Sequence, residues 1–548
     1  MQPTFISRTT YIALFLLLGV VYIVGLFVPL MDNDSAHHAA IALRMYQTGD
    51  YVNLVDLGHD YLDKPHLHFW LSALSYHIFG VTSFAYKFPS FLFTIMGTYA
   101  TFRLGKSLYD AQVGRLAALI TASAFAYILA NNDVRMDAIL TASIILATWQ
   151  LVDWINTKRW IHVFGAALGL ALGFATKGHI AVFTPGVAAL FYILYKKEWK
   201  LIFSLQFLTL IISFFIFIAP VVYCYYLQFD LHPEKVIRGE SGRSGVAFIL
   251  WQQNFERFQG DSWGGDGKND RFFFLHSFLW AFAPWSIIAF TAFFSRIKSF
   301  KTRRWEWLTI GTFAVLGLMI SFSGFKLPHY LNILFPIAAV LTSAYLHHHI
   351  SNQTVINRLF VVQAVLSILL LLAAGVINVW AFPIHNIMAI AGFIILLAAS
   401  FYLIKKTATK QQRLIVIPVT AIALCFYLLN SNFYPQLLTY QGGNELARDT
   451  RSKVNPKHVY FWPGTYSTSY NFYSGQLHQY FSDTVYQQKD TVWVMAGDTD
   501  ILKMKAAGYP ILGGYAHRDY QITRLKGTFI NPARREEVLG KMVLVRIK

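Results

Sequence analysis

The chain has 548 residues, 55% of them hydrophobic and only 14% charged, against roughly 45–50% and about 25% in ordinary soluble domains. That balance excludes a disordered or soluble fibrous protein, and a mean hydropathy of +0.43 requires many apolar segments. A formal charge of +18 would suggest nucleic acid in a soluble protein. In a chain this apolar it reads instead as cytoplasmic loops that hold a topology and face anionic lipid, and no nucleic-acid partner is expected.

Apolar runs long enough for a hydrocarbon core of roughly 30 Å fall near 10–30, 86–104, 114–131, 137–153, 160–176, 178–195, 201–228, 272–295, 306–323, 329–346, 358–381, 386–404 and 412–430. The expectation is an α-helical polytopic membrane protein of about thirteen spans, residues 1–431 forming the membrane domain. The first run lacks a small-residue cleavage site and reads as a retained anchor. With the N-terminus cytoplasmic, the inside connections receive Arg103, Lys106 and Arg115; Lys158 and Arg159; Lys196, Lys197 and Lys200; Arg296 to Arg304; and Lys405 to Arg413, as the positive-inside rule requires. Cys224 and Cys425 lie within apolar runs, so neither a disulfide framework nor a Cys metal site is expected.

The outer face then holds a first large loop (31–85), a second (229–271) and the polar tail 432–548. The tail carries strand-like runs at 458–462, 491–497 and the C-terminal MVLVRIK and reads as a small soluble α/β domain. The first loop is too long for a simple connection. It shows a helical pattern from about Ser35 to Tyr46, for which Asp34-Ser35 offers an N-cap, and an amphipathic stretch from Leu67 to Phe79, where Phe69, Trp70 and Tyr76 suit the membrane interface.

Asp34, Asp63, Lys64, Arg135, Asp137, Lys177, Lys326 and His329 come from separate loops that this topology places on one face. A one-sided set of acids and bases suits phosphate binding and proton transfer. The competing explanations are helix capping for Asp34 and snorkelling anchors for the Lys and Arg residues. Asp63 with Lys64 suits a phosphate or a divalent cation (Mg, Mn or Zn), His66 or His68 being a neighbouring imidazole. No Gly-rich nucleotide loop appears in the sequence, and no nucleotide cofactor is expected.

The ordered segments DSAHHAAIALRMYQTGDYV (34–52), YLDKPHLHFWLSALSYHIFG (61–80), RMDAIL (135–140), ATKG (175–178), FLWAFAPW (278–285) and GFKLPHYLNILFP (324–336) resemble the polyprenyl-phosphate-dependent glycosyltransferases of the C-type fold. Within that group the chain is similar to the bacterial aminoarabinose transferases that modify lipid A and, more distantly, to the protein O-mannosyltransferases. The resemblance implies an inverting glycosyltransferase of the inner membrane whose active site faces the periplasm, with a polyprenyl-phosphate-linked sugar as donor. Lipid A, another glycolipid, a glycan or a protein would serve as extracytoplasmic acceptor. Carried over one by one, it implies Asp34 as general base, Asp137, in the Arg-x-Asp turn with Arg135, as the second catalytic candidate, Asp63 as metal ligand, Lys64 facing the donor phosphate, and Lys326, His329 and Tyr330 near the donor. The chain departs from the family at Ser35, where a second acid is common, and within 255–272, where the second metal ligand, a His, is missing and Asp261 or Asp266 would replace it. The alternative of another class is a secondary transporter or flippase, against which stand charges gathered at span ends and the lack of an internal repeat.

Overall fold

The computed structural model describes residues 5–237, 239–252, 270–300, 305–324, 326–488 and 491–548. From the N-terminus run α1 (Arg8–Leu26), α2 (Asp34–Thr48), a hairpin of β1 (Val55–Asp56) and β2 (His59–Asp60), α3 (Leu67–Phe79), α4 (Ser83–Leu108), α5 (Ala111–Ala122), α6 (Phe125–Asn132), α7 (Asp137–Thr157), α8 (Trp160–Lys177), α9 (Ile180–Lys196) and α10 (Leu205–Tyr225). Helices Phe273–Ala281, Ser286–Ser299, Leu308–Ser321, Phe335–His348, Gln353–Gly375, Ile387–Lys405 and Lys410–Leu428 follow. Helix therefore forms at every apolar run read from the sequence. Among the described residues eight helical stretches are long and apolar enough to cross a membrane, nine if α5 and α6, which meet at 53°, count as one.

α7 is the central element, buried almost throughout. Small residues let its neighbours close on it: a Cβ at Gly97 of α4 would lie 3.0 Å from the Ala142 Cα, and one at Gly169 of α8 2.7 Å from the Ala147 N. Such small-residue seams substitute for hydrophobic driving force inside a bilayer. Helices Gln353–Gly375 and Ile387–Lys405, by contrast, leave Ile368, Leu369, Leu372, Ile394 and Ile395 exposed, an apolar outer face that only lipid or a partner covers without cost.

α2 and α3 pack together beside the bundle. Phe69 and Tyr76 are buried between them, whereas Leu74, Ile78 and Phe79 are exposed. Of the three rings expected at the interface, Phe69 and Tyr76 instead complete the packing with α2, where the Tyr76 hydroxyl donates to the Ala39 carbonyl at 3.2 Å, and Trp70 remains partly exposed.

The tail contains a four-stranded mixed sheet in the order β3 (Val459–Phe461), β4 (Val492–Gly497), β6 (Gly540–Ile547), β5 (Ile511–Asp519), with β3 parallel to β4 and the other pairs antiparallel. β5 escapes a reading by alternation because it is an edge strand with two glycines and no buried side chain. The tail is tied to the end of α1. Asp32 accepts hydrogen bonds from Ser467 Oγ (2.7 Å), Thr468 Oγ1 (2.5 Å), Ser469 Oγ (2.8 Å) and Ser469 N (3.2 Å). The Gln441 amide donates to the Leu30 carbonyl at 3.0 Å.

Candidate active site

The sequence Asn33-Asp34-Ser35 opens α2, and the structure assigns the cap to Asn33, whose Oδ1 accepts from Ser35 N at 2.8 Å. This corrects the expected cap. Asp34 is the first helical residue instead, with its carboxylate uncommitted to capping and 51% exposed. The helical period places His37 and His38 above it, one turn on.

Between α2 and α3 the chain makes a tight hairpin whose turn residues, Leu57 (φ +50°) and Gly58 (φ +83°), are both left-handed. Such a turn matches the twist of a two-stranded ribbon. It holds Asp56 against His37, Oδ2 to Nε2 at 2.8 Å. Asp60 accepts from Gln228 Nε2 at 2.8 Å and from Lys235 Nζ at 3.1 Å. Just beyond, Asp63 and Lys64 form an ion pair.

The turn before α7 supplies the opposite wall. Arg135 binds Asp133 at 2.7 Å and approaches Asp34 at 3.6 Å. Burial opposes its charge, but Asp133 and Asp34 outweigh burial and hold its pKa above the ordinary value. Met136 is fully buried at φ +87°, a left-handed conformation that costs a side-chain-bearing residue about 1–2 kcal/mol and that points Arg135 and Asp137 into the same space. Asp137, 5% exposed, accepts from Lys177 Nζ at 2.9 Å and lies 3.9 Å from His329 Nε2. Lys177 Nζ also sits 5.0 Å above the centre of the Tyr330 ring.

These walls enclose a cavity of about 970 Å³. Of the residues singled out by sequence, Asp34, Asp63, Lys64, Arg135, Asp137, Lys177, His329 and Tyr330 line it. Lys326 does not: its Nζ donates to the Asp270 carbonyl at 3.0 Å. His66 does not either; it is buried, with Nε2 on the Val52 carbonyl at 2.8 Å and its ring against Trp70 and Tyr225. Asp261 and Asp266 lie outside the described residues. Among the described residues no group of three or more His, Cys, Asp or Glu is placed to hold a metal, so those residues do not by themselves make a metal site.

Sequence reasoning missed Asp56, Asp60 and His38 as cavity residues. The two acids lie in a polar stretch with no period, and the Leu57-Gly58 turn is recognisable only once the ribbon is formed. His38 is 3% exposed, and its Nδ1 has no partner among the described residues. His68 Nε2 meets the Tyr86 hydroxyl at 3.0 Å, and that hydroxyl donates to the Val134 carbonyl at 3.1 Å, so these rings brace the Arg135 turn from behind.

Burial holds these imidazoles neutral. It lowers the pKa of His66 to about 4 and of His68 to about 3, and it lowers His38 well below the ordinary value. In the unfolded chain they protonate near 6.5, so the unfolded state takes up protons first as pH falls. Stability is full above pH 6.5 and declines from there, to about 4 for His66 and about 3 for His68, by roughly 3 kcal/mol for His66 alone at ~1.4 kcal/mol per pKa unit. Thermal unfolding followed from pH 7.5 to 4.5 should show the decline, and His68→Gln should make it shallower, His38 and His66 remaining.

A family model described as dolichyl-phosphate-mannose-protein mannosyltransferase matches residues 63–224, which include Asp63, Lys64, Arg135, Asp137 and Lys177. The undecaprenyl phosphate-alpha-4-amino-4-deoxy-L-arabinose arabinosyl transferase of Pseudomonas aeruginosa is 26% identical over 293 residues, 51% of this chain and 49% of that one. The chain thus spans about half the length of the Pseudomonas relatives it matches. A second such transferase, from Sodalis glossinidius, is 25% identical over 386 residues, 68% of this chain and 66% of its own. The crystal structure of ArnT from Cupriavidus metallidurans bound to undecaprenyl phosphate superposes with a TM-score of 0.73 at 15% identity, covering 98% of both chains; at that identity the likeness is one of fold. In sequence over half its length or more, and in fold over nearly all of it, the chain resembles the undecaprenyl-phosphate aminoarabinose transferases and carries a C-type glycosyltransferase fold.

Proposed function

We propose that the protein is an inverting glycosyltransferase that moves a sugar from a polyprenyl-phosphate donor to an extracytoplasmic acceptor, with Asp34 as general base. The observation that carries this reading is the division of the cavity. A half-exposed Asp34 stands on one wall, and Lys64, Arg135, Lys177 and His329 stand on the others. Lys64 pairs with Asp63, Arg135 with Asp133 and Asp34, and Lys177 with Asp137, so carboxylates hold these cations in place around the cavity.

In the step proposed, the acceptor hydroxyl oxygen attacks the anomeric carbon while its proton passes to an Asp34 oxygen. The bond from that carbon to the phosphate oxygen breaks, and the electron pair leaves with the polyprenyl phosphate. The growing charge on the phosphate is met by Lys64, Arg135 and Lys177 in a partly desolvated cleft, where fixed charges act most strongly. Asp137, committed to Lys177, positions that cation. Lipid A, another glycolipid, a glycan or a protein hydroxyl all satisfy this chemistry. Mass spectra of lipids and glycans from cells with and without the protein should differ by one sugar increment; identical spectra would remove the proposal.

The same reading sets the protein in the inner membrane with thirteen spans, the cavity and residues 432–548 on the periplasmic side. It rests on the Lys and Arg clusters that alternate along the chain. Reporters fused after Thr407 and after Asn444 should report opposite compartments, and one compartment for both would sink the topology.

A further inference from the structure

His38, His66 and His68 are all buried, and in each the Nδ1 is sealed from solvent and has no hydrogen bond among the described residues. They differ at Nε2. His66 places it 2.8 Å from the Val52 carbonyl, and His68 places it 3.0 Å from the Tyr86 hydroxyl, so both are committed to the fold. The Nε2 of His38 makes no hydrogen bond among the described residues and is not sealed, so it opens on the cavity that the ring lines. A polar atom of a buried side chain that the fold leaves unanswered calls for a partner from outside the fold.

The ring is held by packing alone. It stacks on His37 at 5.7 Å between centroids and meets His68 and Phe69 edge to face at 5.8 and 5.6 Å. Burial first, then the His37 and His68 rings and the Lys64 and Lys177 ammonium groups, hold its pKa well below the ordinary value. The neutral imidazole carries a single N–H. On the sealed Nδ1 that hydrogen would be an orphaned buried donor, which folded proteins rarely tolerate. It therefore sits on Nε2 and faces the cavity.

His38 follows Asp34 by four residues on α2, on the same face and about 6 Å further along the axis at ~1.5 Å per residue. The charges of Lys64 and Lys177 reach it from the other walls. It thus stands between the group proposed to take the acceptor proton and the cations proposed to meet the leaving phosphate. The sugar in transit occupies that space, because its anomeric carbon joins the attacking oxygen to the departing one.

We infer that His38 is a sugar-binding residue, its Nε2–H donating to a hydroxyl oxygen of the sugar being transferred and so helping to select that sugar. This assignment rests on the transfer reaction proposed above.

The test compares three variants of the full-length protein. His38→Gln carries a donor nitrogen where Nε2 stands, His38→Asn carries one nearer Nδ1, and His38→Met has the shape of the Gln variant without a donor. Each is returned to cells lacking the protein, and the sugar increment on lipids and glycans is measured by mass spectrometry per amount of protein. Binding of undecaprenyl phosphate, which has the phosphate but no sugar, is titrated by native mass spectrometry in a neutral detergent. The Gln variant should transfer within about threefold of the parent and the Asn and Met variants about tenfold less than the parent, the usual worth of one hydrogen bond left unmade. All three should bind undecaprenyl phosphate as the parent does. Parental transfer by a Met variant that melts like the parent overturns the assignment. A loss in the Gln variant as large as in the Met variant, or a matching loss of undecaprenyl phosphate affinity, also overturns it, because His38 would then pack the wall or serve the phosphate. Should the Asn and Met variants fail to fold, a tenfold loss in a stable Gln variant overturns it instead. A parent that adds no sugar at all removes the proposed reaction, and this assignment falls with it.

Discussion

Replacing Asp34 with Asn should reduce sugar transfer by about 10²–10⁴-fold, the usual worth of a positioned base, while the melting temperature barely moves. The side chain is half exposed, the α2 cap belongs to Asn33, and the closest cation, Arg135, keeps Asp133 at 2.7 Å. Arg135 therefore loses only its longer ion pair when the Asp34 charge is removed. Asp32, two residues earlier, is the opposite case. Its carboxylate accepts four hydrogen bonds from residues 467–469, so Asp32→Asn should lower stability and loosen the tail. Near-normal transfer by Asp34→Asn would remove it as the base, and His37, held by Asp56 in the same cavity, would be the next group to test.

Asp137→Asn should cost about 3–5 kcal/mol of stability, because it leaves the largely buried Lys177 ammonium without its counter-charge. The change would be read as a lower unfolding temperature in detergent. Adding Lys177→Gln should restore most of the loss, since a buried pair removed together is nearly neutral. Transfer should not return with stability, because the cation that meets the donor phosphate is gone. A single variant as stable as the parent would show that the Asp137–Lys177 contact contributes nothing to the fold. A double variant with full activity would take Lys177 out of the site.

The membrane helices are legible in the sequence because a bilayer imposes one crude requirement, about 20 apolar residues per crossing; among the described residues eight or nine helical stretches meet it, while the run 272–295 is divided between two shorter helices. Much of the site is legible for a related reason. Asp34, Arg135, Asp137, Lys177, His329 and Tyr330 are polar groups at or near the ends of apolar runs, where charge is expensive and therefore conspicuous, and Asp63 and Lys64 stand out within a loop too long for a connection.

What the tertiary structure alone decided is the role of each carboxylate. Asp32, Asp34 and Asp137 look alike in sequence, each at the end of an apolar run. Partners remote in the chain make the first a tether to residues 467–469, leave the second open to the cavity, and bind the third to Lys177. Asp56 and Asp60 join the site only because a left-handed turn at Leu57-Gly58 folds a featureless polar stretch back on itself. Local composition sets whether a segment enters the membrane, since solvation acts on each segment separately. A carboxylate's function depends on which cation or donor packs within hydrogen-bond distance, and only the folded chain fixes that.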